Sequence, residues 1–123
     1  MDMSRIEKLN GYFDEEIAKC NAKGAELTED NRKDEAVFAV IRGNILDIFR
    51  TISSVAQETC GGDEEKFREF FLSKTEQIPQ NWRISLERAR SYGDAEAAHV
   101  ERVKIQAIEE IKDVFTQIWG EAE

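Results

Sequence analysis

The two side chains in this 123-residue sequence whose spacing most suggests chemistry are Glu96 and His99. On a helix, Glu-x-x-His sets a carboxylate and an imidazole one turn apart on the same face. Di-iron and di-manganese four-helix proteins use that spacing to reach a shared metal pair. Such a centre needs a second copy of the motif and glutamates from two further helices. The chain has one histidine, and no glutamate breaks its apolar stripes mid-helix. Glu96 and His99 therefore stand as weak ligand candidates, with an exposed first helical turn as the simpler reading, and no metal is expected. His99-x-Glu101 lacks the cysteine half of a zinc deaminase site. Carboxylate neighbours such as Asp94 with Glu96, or Glu109 with Glu110, are ordinary on charged helix surfaces.

Cys20 and Cys60 are the only thiols. If the helices carrying them form a hairpin, Cys20 lies opposite residue 35 or so. Cys60 is then about 37 Å further along at 1.5 Å per residue, while a disulfide needs Cα atoms within about 7 Å. No intramolecular disulfide is expected. Cys60 falls at the negative end of a helix, which disfavours a thiolate, and Cys20 falls on a core stripe. Phosphate loops, nucleophile elbows and Cys-x-x-Cys pairs are absent from the sequence, and no cofactor is expected. The remaining candidate is Trp82, three residues after the single proline, Pro79. A bend there could open a pocket lined by Trp82, although bundle aromatics more often fill core.

These residues must be positioned by helices. One proline, seven glycines and 41% hydrophobic residues favour helix over a turn-rich β fold, and the length suits one domain spanning residues 1–123. The first helix starts at Ser4, with Glu7 completing a capping box, and carries Ile6, Leu9, Phe13, Ile17 and Cys20. Gly24 can end it, although Leu27 continues the stripe. Thr28 or Asp30 can cap the second helix, which runs from Asp34 to Cys60 with a stripe of Val37, Phe38, Ile41, Ile45, Ile48, Phe49, Ile52 and Val55. Gly61-Gly62 closes it. The third opens with Asp63, Glu64 and Glu65, and is kinked or broken at Pro79; Lys74 interrupts its apolar face and must snorkel or find a partner. Asp94 caps the fourth, which runs to about Gly120 with the last three residues fraying. Short connections make these an all-α, antiparallel up-down four-helix bundle.

The charge is −9, spread evenly: residues 1–62 carry 8 basic and 12 acidic groups, residues 63–123 carry 9 and 14. That sign repels phosphate backbones, so no nucleic-acid partner is expected. Arg83, Arg88 and Arg90 cluster, but Glu87 lies among them. No stretch is long and apolar enough to span a bilayer, and acidic polar faces disfavour an anionic membrane surface. With no leader-like opening and two unpaired thiols, the sequence reads as cytoplasmic.

The second helix carries one further signal. From Ala36 to Leu46 only Arg42 and Asn44 are polar, and Ala36, Ala39, Val40 and Gly43 lie off the main stripe. A helix apolar nearly all round is buried on more than one side. Either this half lies deep in its own bundle or it meets a second copy of the chain. The resulting expectation is a small, acidic, non-enzymatic protein-interaction or adaptor protein that forms a homodimer through Ala36, Ala39, Val40, Gly43 and Leu46. The alternative is a small-molecule- or metal-binding bundle with its site near Pro79 and Trp82, or at Glu96 and His99.

Overall fold

The computed structural model describes residues 4–120. Their helices are α1 (Arg5–Glu29), α2 (Lys33–Cys60), α3 (Glu64–Gln77), α4 (Pro79–Ser91) and α5 (Ala95–Gly120), and together they form a helical bundle. The fraying expected of residues 121–123 lies outside the described residues. Only Ile78 separates α3 from α4, and its own φ of −63° and ψ of −44° are helical. Pro79 occupies the first position of α4, where its missing N–H leaves no hydrogen bond unmade.

The ends follow local chemistry. Ser4 Oγ accepts from the Glu7 N–H, Asp63 accepts from the Glu65 and Lys66 N–H groups, and Asp94 accepts from the Ala97 N–H. Gly61, at φ 57°, ends α2 in the left-handed conformation that glycine adopts without a Cβ clash. Two expectations change at the first turn. Gly24 does not end α1, because Leu27 is buried and keeps the helix on the core. Neither Thr28 nor Asp30 caps α2: Thr28 donates back to the Gly24 carbonyl, Asp30 closes α1, and Arg32 begins α2 without a side-chain cap. The chain reverses through Asn31 at φ 59°, a conformation asparagine tolerates better than most residues.

The helices pair in consistent registers. Along α1 and α2, Cys20 lies against Gly43, Asp14 meets Arg50, and Asn10 meets Ser53 and Gln57. Numbers fall on one helix as they rise on the other, so the pair is antiparallel. Phe67 stacks on Trp119 and Phe71 on Phe115, while Glu76 meets Lys112 and Arg83 meets Glu109. Those contacts lay α3 and α4 along α5 in the opposite sense. Phe49 against Phe71 ties α2 to α3.

The centre of the core is aromatic: Phe13, Phe49, Phe67, Phe71 and Phe115 are all fully buried or nearly so. Aromatic pairs at these offsets add attraction beyond their area. Lys74 resolves its conflict with the apolar face by resting its ammonium 5.4 Å from the centre of the Phe70 ring.

Candidate interaction surface

The second helix buries only part of the stripe that its sequence advertises: Ile45 and Phe49 are buried and Phe38, Ile41 and Ile52 half-buried, but Val37, Ile48 and Val55 are not. Its buried positions are Ala36, Ile45, Leu46, Phe49, Ser53 and Ala56, a face turned away from Val37, Ile48 and Val55. These three are 52%, 42% and 46% exposed, and Val40 is 55% exposed. The reason is the small-residue approach to α1. A Cβ on Gly43 would come within 3.3 Å of the Cys20 Cβ, so α1 sits close on that flank. Ser53, fully buried, donates to Asn10 at 2.8 Å. Contact on this polar and small flank rotates the nominal stripe partly into solvent.

Of the five residues expected to meet a second copy, Leu46 is fully buried and Ala36 nearly so. Both are spent inside the chain's own core. Gly43 is half-buried against Cys20 and Ala39 is half-buried. Val40 alone of the five is largely exposed. The expected set is corrected accordingly: Ala36 and Leu46 leave it, since the chain's own core takes them up, and Gly43 lies against Cys20 of α1.

Three of the exposed apolar residues of α2, Val37, Ile48 and Val55, fall on one seam of the helix. Val37, Ile41, Asn44, Ile48, Thr51 and Val55 recur at intervals of four and three residues, the seam of a two-stranded helical contact. Ile41 is half-buried and Asn44 and Thr51 are exposed. The seam extends about 27 Å along the helix. From residue 36 to residue 57 the only charges are Arg42, Asp47 and Arg50, net +1, on a chain of net −9. Arg50 holds Asp47 at 2.7 Å and Asp14 at 2.9 Å, so those charges are already engaged.

On the opposite flank, Arg42 joins three helices. Its guanidinium donates to Glu16 of α1 at 3.2 Å, to Glu110 of α5 at 2.8 Å and to the Cys20 sulfur at 3.1 Å. Burial works against the Glu16 carboxylate, yet hydrogen bonds from Lys19 and Arg42 outweigh it and hold its pKa below the ordinary value. Burial pushes the neighbouring Tyr12 hydroxyl up to about 12; Arg42 opposes this, while Glu16 and Glu110 add to it. Sequence inspection had not singled out this cluster. Its one signal was Arg42 interrupting an apolar run.

The other candidates stay apart. Glu96 and His99 are both exposed, and His99 sets its ring edge-on to Phe38 at 4.3 Å. Glu101 is tied to Lys104 at 3.3 Å. Among the described residues no group of three or more His, Cys, Asp or Glu side chains is disposed to hold a metal ion. Trp82 is half-buried and packs against the core beside buried Pro79. Both cysteines are free thiols, Cys20 buried and Cys60 half-buried. Because α1 runs on past Gly24, Cys20 lies opposite Gly43 rather than residue 35. No described helix is long and apolar enough to cross a membrane. No family model, no curated protein and no solved structure matches the chain.

Proposed function

We propose that this chain is a non-enzymatic protein-interaction module that associates with a second copy of itself along α2, through Val37, Val40, Ile41, Ile48 and Val55. The observation that carries the reading is the row of Val37, Ile41, Ile48 and Val55, exposed or half-buried on a four-three seam completed by Asn44 and Thr51, on a helix whose other side is filled. Exposed aliphatics scattered singly need no explanation, but an ordered row on one face marks a contact surface.

Charge favours a second copy as the occupant. Two chains of net −9 repel one another, and screening over about 8 Å at physiological salt leaves only close approaches sensitive to local charge. The seam is the long segment where local charge is close to zero. Ile41, Ile48 and Val55 repeat every seven residues, and β-branched residues at one of the two seam positions suit a two-stranded contact. Asn44, polar within the seam, would set the register of the pair at some cost in affinity. The module would act in the cytoplasm as an adaptor, presenting the remaining helix faces of a symmetric pair to other proteins.

Sedimentation equilibrium across micromolar concentrations tests the self-association. The expected result is a mass rising toward twice 14.1 kDa. A 14.1 kDa monomer at every concentration contradicts the proposal.

A further inference from the structure

The seam of α2 is made of two unlike sets. Val37, Asn44 and Thr51 repeat every seven residues, and so do Ile41, Ile48 and Val55. All six are exposed or half-buried. The first set holds one aliphatic and two polar residues, while the second is wholly aliphatic. Helices paired parallel and in register set each position against its own copy. Helices paired antiparallel set each position of one set against a position of the other.

The two arrangements differ in what the polar residues meet. In the antiparallel pair that overlaps the whole seam, Val37 faces Val55 of the second copy, Asn44 faces Ile48 of the second copy and Thr51 faces Ile41 of the second copy. Sliding that pair by seven residues only gives Asn44 another aliphatic partner, Val55 or Ile41. An amide pressed against an aliphatic side chain loses water and gains no hydrogen bond. In the parallel pair Asn44 meets Asn44 and Thr51 meets Thr51. Each amide carries both donor and acceptor, as does each hydroxyl, so facing copies can satisfy one another. The aliphatic positions then meet aliphatic ones.

Charge points the same way. Asp47 is exposed beside the seam. An antiparallel pair brings both copies of Asp47 together on one flank near its centre, where like charges repel; Arg50, 2.7 Å from Asp47, offsets part of that. A parallel pair puts them on opposite flanks. It also sets the two starts of α2 side by side, and there Arg32, Lys33, Asp34 and Glu35 sum to zero charge.

Resting on the self-association proposed above, we infer that the two α2 helices run parallel and in register, with Asn44 meeting its own counterpart across the two-fold axis. Such a pair has unlike ends: both α1–α2 turns stand at one, and both α2–α3 turns at the other.

Disulfide trapping tests the orientation in the full chain carrying Cys60→Ser; Cys20 is buried. Val37→Cys and Val55→Cys are made singly. A disulfide needs Cα atoms within about 7 Å, and positions 37 and 55 are about 27 Å apart along one helix. In a thiol–disulfide buffer each variant is expected to link to itself. In an equimolar mixture the link between positions 37 and 55 is expected at no more than about one tenth of the self-linked yield, the cost of leaving a polar group unpaired. Sedimentation of the reduced variants separates the two levels of the proposal. Dimers that give mainly the 37–55 link, or no self-link, overturn the orientation and leave the pairing standing. Monomers at every concentration overturn both. Asn44→Leu is expected to raise the share of the 37–55 link at unchanged helicity, and an unchanged share overturns the role assigned to Asn44.

Discussion

The two sides of α2 have opposite fates. Toward α1 and α5 the helix presents Gly43, Leu46, Ser53 and Arg42, and every one of these meets a specific partner or the core. Toward the other flank it presents Val37, Ile48 and Val55, and leaves them about half exposed. What decides is shape and pairing: a glycine lets α1 come close, a serine finds Asn10, and an arginine binds two carboxylates. The side that folds the monomer therefore adds Gly43, Ser53 and Arg42 to Ile45, Leu46 and Phe49, and the side left over keeps Val37, Ile48 and Val55 among Asn44 and Thr51.

This contrast can be broken or sharpened by substitution. The largest effect is expected from Leu46→Ala on the filled side, a loss of about 2–5 kcal/mol from transfer and cavity together, measured by denaturant unfolding. Ile48→Ala, two residues on, is expected to change monomer stability by no more than about 0.5 kcal/mol. Comparable losses at the two positions would erase the distinction between the sides.

Arg42→Met comes next. It removes the link between α1, α2 and α5 and is expected to cost about 1–2 kcal/mol, mostly through Glu16, because water screens the more exposed Glu110. The Glu16 carboxyl should also titrate at higher pH in the variant, readable by carbon NMR. A variant as stable as the parent, with Glu16 unmoved, would reduce the cluster to surface decoration.

The same cluster predicts a pH dependence. Tyr12 keeps its proton to about 12 in the folded chain and to about 10 when unfolded. Between those values the unfolded chain has released a proton that the folded chain still holds. Stability contributed by this group is therefore complete below about pH 10 and lost as pH rises toward about 12. Tyrosinate absorbance in Tyr92→Phe, which leaves Tyr12 as the one tyrosine, checks it: a midpoint at the ordinary tyrosine value would contradict the burial argument. The smallest effect is a gain. Gly11 lies mid-helix with nothing within 4 Å of an added Cβ, so Gly11→Ala should stabilise by about 0.5–1 kcal/mol in thermal unfolding.

Much of the fold was legible because it depends on local rules. Helix periodicity, the Ser4, Asp63 and Asp94 caps and the Gly61 stop each follow from residue type and neighbours. What escaped was the rotation of α2. The strongest apolar stripe suggests core, yet of it only Ile45 and Phe49 are buried, because the choice among flanks depends on how closely a neighbouring helix can approach, and that follows from Gly43 meeting Cys20 across 23 residues of sequence. Sequence periodicity carries no such distance. The same blindness hid the Arg42 cluster, whose members come from three helices. Glu96 and His99, conspicuous by spacing, lie exposed, and what another helix brings to His99 is the ring of Phe38 and not a ligating group.

The central claim is that the exposed side of α2 joins two copies while the filled side holds each one together. Ile48→Asp, followed by mass and far-ultraviolet circular dichroism on the same samples, tests it most directly. The account predicts a parent dimer and a variant monomer of 14.1 kDa with unchanged helicity. A variant that remains dimeric, or one that loses its helicity on becoming monomeric, would contradict it.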